Sequence, residues 1–502
     1  MNEKYAELRT RLAEVEDLRR AAHLLEWDQE TMMPPLGVSS RAEQLASLGR
    51  IAHERFTASE IGRLLDELAS FEGEMAYDSD EASLIRVVRR DYEKARKVPP
   101  ELHGERARAA SIAQPVWAEA RKRSDFSLFL PYLQKNIDLT HRYVECMDDG
   151  RDIYDVLLDD YEQDLTTVEV NAVFDELKRE LPPLIEAAAA SNGEEDAFMR
   201  GPFSPDAQHE FSLQVIRGFG FDPEGWRLDR SVHPFASSAG PNDIRLTSRY
   251  AEDDLHSLFS AMHECGHGLY ENGVDLALDR TPLCEGVSYA FHESQSRMWE
   301  NLVGRSRPFW RHFYPRLQQA FPALAQVDEE AFYRAVNRVQ PSLIRVDADE
   351  VTYNLHVILR FELEQEMLTG KLALADVPEA WDARMKEYLG IDVPDARRGA
   401  LQDVHWSGGS FGYFSTYSLG NVVSVQLWEK VREAMPDLDD QIEAGEFREL
   451  REWLRENVHR HGRKFAPKEL LDRIVGGPID PGPYLRYLKD KLSDTAGVGA
   501  VA

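Results

Sequence analysis

The stretch from Asp253 to Gly273 limits most strongly what this chain can fold into. It contains the pattern His-Glu-x-x-His at His263, Glu264 and His267. Residues four apart lie on the same face of an α-helix, one turn from each other, so two imidazoles at this spacing can hold one metal ion. The carboxylate between them lies beside that ion. The pattern therefore predicts a helix that carries a catalytic metal site of the kind found in zinc peptidases.

The residues around the motif predict that it is a buried helix. Apolar side chains recur there at steps of three and four: Leu255, Leu258, Phe259, Met262, Leu269 and Tyr270. Asp253 and Asp254 suit the positive N-terminal end of a helix, and Gly273 suits its C-terminal end. The alternative is an ordinary helix with two packed or exposed histidines. His256 lies too far along the helix to share the same ion and is predicted to be packed or to lie behind the site.

Composition excludes several classes of function. The chain has 502 residues and a formal net charge of -30, so nucleic acids and anionic membranes would be repelled. No apolar run approaches the ~20 residues that span a bilayer, and the charged amphipathic start has no signal-peptide core. We therefore expect a cytoplasmic protein. Three cysteines, Cys146, Cys265 and Cys284, are too few for a disulfide framework or a thiolate metal cluster.

The pattern along the chain predicts a mainly α fold in a single domain spanning 1–502. Residues 1–70 read as charged amphipathic helices that form a wall or lid. Short alternating runs between 226 and 250 predict a small β-sheet directly before the metal helix, and a sheet edge there can pair with an extended peptide. Residues 253–300 are predicted to form the metal-binding helices, and the tail 493–502 is expected to fray.

A third metal ligand is expected downstream of the motif, since catalytic zinc sites use three protein ligands and leave one position for water. Glu293 is the first choice, because a helix, a turn and a returning helix can bring it back onto the metal. Glu285 and His292 are rivals of suitable residue type. Other acidic residues, Glu271, Glu300 and the run Glu362, Glu364 and Glu366, are predicted to be solvated or to lie behind the site.

Six short motifs now appear in order along the chain: His233-Pro234-Phe235, Asp243-Ile244-Arg245-Leu246-Thr247, His263 to His267, His292-Glu293-Ser294, Ile344-Arg345-Val346-Asp347-Ala348-Asp349 and Gly399-Ala400-Leu401-Gln402-Asp403-Val404-His405-Trp406. With them the chain resembles the carboxypeptidase Taq-type metallocarboxypeptidases. The resemblance implies a helical, gluzincin-like zincin with a long active-site cleft. It also implies a homodimer, zinc that cobalt can replace, and peptide substrates that lose single C-terminal residues with broad specificity.

The resemblance also implies roles for individual residues. His263, His267 and Glu293 would bind the metal, and Glu264 would act as general base, which agrees with the chemistry of zinc-activated water. Arg345 would bind the terminal carboxylate of the substrate, with Arg245 as its rival. The alternatives are ion pairs, of Arg345 with Asp347 or Asp349 and of Arg245 with Asp243.

The loop from His405 to Tyr417 is predicted to stabilise the transition state. Glycines allow the backbone to approach closely, and tyrosine hydroxyls donate hydrogen bonds without charge. By resemblance Tyr417 is the first choice of donor, Tyr413 the second, and His405 joins them; packed aromatic rings are the alternative. His233 would line the cleft or cap a loop. Two other functions stay open: a dipeptidyl carboxypeptidase or oligopeptidase, and a helical protein with a structural metal or none.

Overall fold

The computed structural model describes residues 3–147, 150–191 and 196–496, and helices dominate it, as predicted. In chain order the α-helices are α1 (Glu3–Thr31), α2 (Val38–Phe56), α3 (Ser59–Glu67), α4 (Ala69–Glu74), α5 (Asp80–Lys97), α6 (Pro100–Arg123), α7 (Phe126–Met147), α8 (Ile153–Leu158), α9 (Thr167–Ser191), α10 (Pro205–Phe219), α11 (His256–Gly273), α12 (Tyr289–Arg297), α13 (Arg307–Ala320), α14 (Glu329–Val336), α15 (Tyr353–Leu368), α16 (Val377–Leu389), α17 (Ser415–Ala434), α18 (Leu438–Ala444), α19 (Arg448–Asn457), α20 (Pro467–Val475) and α21 (Gly482–Ala496).

The chain divides into two compact units. The first comprises Met1–Ala95, Glu195–Val336 and Ser424–Gly476; the second comprises Arg96–Glu194, Asn337–Val423 and Gly477–Ala502. Each unit is formed from separate stretches of the chain, because the path leaves each one and returns to it. The single domain and the long cleft stay predictions.

A three-stranded sheet lies in the first unit, within the region where strands were predicted. Its strands are β1 (Trp226–Arg230), β2 (Ala236–Gly240) and β3 (Asp243–Ser248), in the order β1-β3-β2. The central β3 runs parallel to β1 and antiparallel to β2. Every second residue of a strand faces the same side, and Ile244 and Leu246 of β3 are buried.

The sheet packs directly on α11, the helix that carries the metal motif. Gly268 makes this possible, because a Cβ at that position would lie 2.6 Å from the Trp226 ring and 2.8 Å from Ile244. On another side of the helix, a Cβ at Gly266 would lie 2.6 Å from the Cα of Ser296 in α12. Gly268 thus lets side chains of the sheet pack against the backbone of α11, and Gly266 lets the backbone of α12 approach that of α11, which brings the residues of α12 onto the motif.

Helix α1 is fixed to the sheet by charged and aromatic contacts. The Trp27 ring faces two guanidinium groups, that of Arg227 at 4.7 Å and that of Arg245 at 4.4 Å. Arg20 pairs with Asp279 at 2.6 Å, near the loop that follows α11. These contacts place α1 in the same unit as the motif; its function as a wall or lid stays a prediction.

The C-terminal helix extends further than expected. α21 continues through Ala496, so residues 493–496 of the predicted tail are helical, while 497–502 lie outside the described residues. Among the helices that the structure describes, none combines the length and the apolar character needed to cross a bilayer.

Candidate metal centre

Three predicted ligands come together in the first unit. His263 and His267 of α11 and Glu293 of α12 offer ligand atoms that all lie within 4.8 Å of one another. The Nε2 atoms of both histidines lie 3.8 Å from Oε2 of Glu293. One ion bound at zinc distances of about 2.0–2.2 Å from each donor fits between atoms with this separation. Two imidazoles and one carboxylate are also a donor set that catalytic zinc sites use, so these residues fit a divalent metal.

Each of the three side chains is held by a second contact that leaves its ligand atom facing the centre. Nδ1 of His263 lies 2.9 Å from Oε2 of Glu300, and Nδ1 of His267 lies 2.7 Å from Nδ1 of His292. Oε1 of Glu293 accepts a hydrogen bond of 2.7 Å from Nε of Arg297. Such contacts fix ring orientation and tautomer, which preorganises the ligands.

Glu264 lies between the two histidines in sequence and is 7% exposed. Burial raises the pKa of its carboxyl to about 7; Glu293 and Glu300 act in the same direction, while His263 and Arg297 oppose them. A divalent cation between the ligands would favour the ionised form, because opposite charges nearby lower a carboxyl pKa. The side chain thus combines burial with a position beside the metal ligands.

The rivals for metal binding have other surroundings. Oε2 of Glu285 lies 3.8 Å from Nη1 of Arg463. His292 contacts Nδ1 of His267, the nitrogen that faces away from the other proposed ligands. His256 is exposed at the start of α11, where its backbone N–H donates to Asp254. Cys265 is buried within α11, and burial raises the pKa of its thiol. In the described part of the chain, the group of metal-binding side chains is the one formed by the two motif histidines and Glu293.

Two further predicted residues lie in the sheet region of the first unit, one on a strand and one in a loop. Arg245 pairs with Asp243 through two contacts of 2.9 and 3.0 Å, which is the ion pair named as its alternative role. His233 lies in an exposed position between β1 and β2. Thr247, fully buried on β3, accepts hydrogen bonds from Phe235 N and Ser231 Oγ and so fixes the loop around His233. Sequence reasoning gave Thr247 no role, although it ends the motif Asp243 to Thr247.

Arg345 lies in the second unit and is almost fully buried. Its Nε and Nη2 contact Oδ1 of Asp403 at 3.1 and 2.9 Å, and its Nη1 donates to the Tyr353 hydroxyl at 2.8 Å. The alternative partners predicted for Arg345 are therefore wrong, because its ion pair is with Asp403. Asp347 and Asp349 are close in sequence, but Asp349 instead accepts hydrogen bonds from Thr352 and nearby backbone groups.

Asp403 is shared by two arginines. Nε of Arg360 reaches its other oxygen at 2.6 Å, and the Arg360 side chain is fully buried. Burial works against ionisation of Asp403, but the two guanidinium groups outweigh it and hold the pKa of that carboxyl well below its usual range. One carboxylate therefore faces two buried cations.

The remaining three predicted residues, His405, Tyr413 and Tyr417, form one cluster in the second unit. Nε2 of His405 lies 3.4 Å from the Tyr417 hydroxyl, and the Tyr413 ring stacks on His405 with centroids 5.5 Å apart. Burial lowers the pKa of His405 to about 4, so the imidazole is neutral at pH 7. The guanidinium of Arg345 lies 4.8 Å from the Tyr417 ring centroid. The cluster therefore adjoins the arginine network, which is formed by Arg345, Arg360 and Asp403.

Glu364 holds the loop of this cluster and was missed by sequence reasoning. It is fully buried rather than solvated. Its carboxylate accepts hydrogen bonds from the Tyr154 hydroxyl at 2.7 Å and from Trp406 Nε1 and Gly412 N, both at 2.9 Å. A carboxylate that receives three donors from separate segments ties the glycine-rich loop to α15 and α8. The alternating acids at 362, 364 and 366 look alike in sequence, so no local signal distinguishes the buried one.

Residues 7–492 match the family model described as carboxypeptidase Taq (M32) metallopeptidase. The chain belongs to this family. As an M32 chain it is a peptide hydrolase that depends on a divalent metal, and its activity is that of a metallocarboxypeptidase.

Relatives of this M32 chain match it over almost its full length. Thermostable carboxypeptidase 1 of Thermus thermophilus is 41% identical over 485 residues, which are 94% of this chain and 95% of that protein. Carboxypeptidase 1 of Bacillus subtilis is 36% identical over 486 residues, 96% of this chain and 97% of that protein. The crystal structure of the M32 carboxypeptidase from Deinococcus radiodurans R1 has a TM-score of 0.96 and 41% identity, covering 99% of this chain and 100% of that one.

Proposed function

We propose that this M32 metallopeptidase is a zinc carboxypeptidase that releases single C-terminal residues from peptides with broad specificity. The observation that carries the proposal is the convergence of His263, His267 and Glu293 with Glu264 buried beside them. Zinc suits this set better than magnesium, because magnesium prefers oxygen ligands and water, whereas imidazole suits zinc. Cobalt is a replacement of similar ligand preference.

His263, His267 and Glu293 would hold the metal. When bound, zinc supplies a Lewis acid that polarises the peptide carbonyl and acidifies water. Glu264 accepts the proton of the attacking water and returns it to the amine that leaves. The burial of Glu264 suits this role, because a shielded carboxylate exchanges protons with its nearest neighbours rather than with bulk solvent.

The oxyanion requires hydrogen-bond donors that carry little charge of their own. Tyr417 is the proposed donor, since its hydroxyl lies near the neutral His405 and its ring faces Arg345. Tyr413 packs on the rings of His405 and Tyr417 and is assigned to substrate binding.

Arg345 is proposed to recognise the terminal carboxylate of the substrate. Supporting this role, Arg345 and Arg360 share one acidic partner among the residues that the structure describes, Asp403, so one of the two guanidinium charges can attract a second anion. Arg245 is the second choice, since its Nε and Nη2 already donate to the two carboxylate oxygens of Asp243. His233 is assigned to substrate binding because it is exposed in the loop between β1 and β2.

We also propose a cytoplasmic homodimer that binds peptides and neither nucleic acids nor membranes. The net charge of -30 supports the exclusion of polyanionic partners. Sedimentation of the purified protein would measure its oligomeric state.

A single experiment tests the proposed activity: metal analysis of the purified protein combined with mass spectrometry of one synthetic peptide digested with and without chelator. We expect one equivalent of zinc and a product ladder that shortens by one residue at a time from the C-terminus. A ladder in steps of two residues would favour a dipeptidyl carboxypeptidase, and internal cuts would favour an oligopeptidase. The same peptide with an amidated C-terminus is the matched control and should be cut much more slowly.

A further inference from the structure

The two motif histidines have different partners behind them. Nδ1 of His263 contacts the Glu300 carboxylate directly, whereas Nδ1 of His267 contacts another imidazole, that of His292. The second nitrogen of His292, Nε2, lies 2.7 Å from Oε1 of Glu271. His267, His292 and Glu271 therefore form a continuous line of hydrogen bonds that leads away from the predicted metal position.

The direction of these hydrogen bonds follows from the ligand role of His267. Its Nε2 faces Oε2 of Glu293, so this nitrogen must be unprotonated to bind a metal, and the ring proton is on Nδ1. That N–H donates to Nδ1 of His292, which must then be the unprotonated nitrogen of its ring. Nε2 of His292 carries the proton and donates it to Glu271. Glu271 thus selects the tautomer of His292 that can accept from His267.

The fold holds the His292 ring in place for this contact. Glu271 lies four residues after His267 on α11, so one ring on α12 bridges two successive turns of the metal helix. The Tyr270 ring lies 5.1 Å from the His292 ring. A Cβ at Gly286 would lie 2.5 Å from Cδ2 of His292, so that position leaves room for the imidazole only as glycine. His292 directly precedes the ligand Glu293, and the side chains of both contact His267 of α11.

We propose that His292 and Glu271 are positioning residues for the metal ligand His267, and that they set the affinity of this site for its metal. The inference rests on the proposed ligand set. Without the imidazole acceptor at residue 292, the Nδ1–H of His267 loses its side-chain partner and keeps a backbone hydrogen bond with residue 292, so the ring is held less firmly and can rotate or place its proton on Nε2. Both changes compete with metal binding. Glu300 serves His263 in the same way but in one step, and it also pairs with Arg297 and Arg305.

The test measures the Kd for Zn²⁺ of the full-length apoprotein by competition with a chromophoric chelator. His292→Phe keeps the ring and removes both nitrogens, and it should weaken zinc binding by about 10- to 100-fold. His292→Asn keeps an acceptor near the former Nδ1 and should restore part of that loss.

Substitution of Glu271 should have smaller effects. Glu271→Ala should weaken zinc binding less than His292→Phe does. Glu271→Gln should weaken it least, since the amide oxygen still accepts a hydrogen bond from His292. His256→Gln, an exposed substitution on the same helix, is the matched control and should leave the Kd unchanged.

Circular dichroism and thermal unfolding of each apoprotein separate a change in affinity from a failure to fold. A role limited to packing would lower the unfolding temperature and leave the Kd of the folded protein as in the wild type; that result for His292→Phe would overturn the proposal. His267→Ala distinguishes this outcome from failure of the metal site itself. If His267→Ala binds zinc as tightly as the wild type, the proposed ligand set is wrong and this inference is wrong with it.

Discussion

The metal centre in the first unit and the arginine network in the second present opposite uses of buried charge. At the metal centre, two imidazoles and a carboxylate point their ligand atoms at one another, with Nε2 to Oε2 distances of 3.8 Å, too long for hydrogen bonds between them. In the network, Asp403 already touches Arg345 and Arg360 at 2.9 and 2.6 Å. The first arrangement places three possible ligands around a space that suits a cation, whereas the second already pairs its one carboxylate with two guanidinium groups and keeps one positive charge in excess.

This difference determines whether a substitution in each region should first reduce catalytic activity or the stability of the fold. Removal of a group beside the metal should affect catalysis and leave the fold intact, because the second contacts of each ligand stay in place. Removal of a charge from the arginine network should affect stability first, because an unpaired buried charge is costly.

The largest effect is expected for Glu264→Gln. The amide has nearly the same shape but cannot accept a proton, so kcat should fall by about 10²- to 10⁴-fold. The zinc content of the variant should equal that of the wild type, since the proposed metal ligands are His263, His267 and Glu293 and not Glu264. Steady-state kinetics and metal analysis on the same preparations measure both quantities, with His256→Gln as control. Full activity of the variant would rule out Glu264 as the general base.

The convergence of the three proposed metal ligands was predictable because its information is local. The spacing of His263 and His267 on one helix already determines that they share a face, and Glu293 required only that a second helix return. The sequence also shows Gly266 and Gly268, but their role is visible only in three dimensions, where the backbone of α12 lies against Gly266 and side chains of the sheet lie against Gly268.

The arginine network was not predictable in the same way, because its partners are far apart in sequence. Arg345 was expected to pair with Asp347 or Asp349, two and four residues away, yet it pairs with Asp403. Likewise, the buried Glu364 is one of three acids at alternate positions, 362, 364 and 366, which look equivalent in sequence. Only its hydrogen bonds with Tyr154, Trp406 and Gly412 in the folded protein distinguish it. The family of the chain and its mainly helical fold, in contrast, were predicted from six short motifs and the periodic pattern.

Asp403→Asn tests the contribution of the arginine network to stability. The amide leaves two buried guanidinium groups without their shared carboxylate, and breaking a buried ion pair in this way costs about 3–5 kcal/mol. Denaturant titration should show this loss in the free energy of unfolding, while the zinc affinity of the folded protein should stay that of the wild type. Asp395→Asn removes an acid that pairs with Arg398 on the surface of the same unit, and it serves as control. An unchanged unfolding free energy would contradict the structural role of Asp403.

Tyr417→Phe tests whether the second unit contributes to the chemistry as well as to stability. Loss of one oxyanion donor typically lowers kcat by about 10²- to 10³-fold. We expect KM to change little, because the hydroxyl acts on charge that develops in the transition state. Tyr413→Phe is the matched variant, and its effect should fall mainly on KM. If the two variants show the same kinetic pattern, the assignment of Tyr417 as donor is wrong.

The smallest effect is expected from Glu364→Gln, and it depends on pH. Burial raises the pKa of Glu364 to about 7 in the folded protein, while Gly412, Tyr154 and Trp406 oppose that shift. Because the folded pKa exceeds the unfolded value, the folded state binds more protons, and this group makes the protein less stable as pH rises from about 4.5 through about 7. Glutamine does not titrate, but its amide N–H₂ faces at least one N–H donor, which costs about 1–3 kcal/mol. The stability of the variant relative to the wild type should therefore be lowest near pH 5 and rise with pH, reaching or exceeding that of the wild type near pH 8, as measured by denaturant titration at both values. A stability difference that stays constant across this range would mean that Glu364 keeps one protonation state in the folded protein.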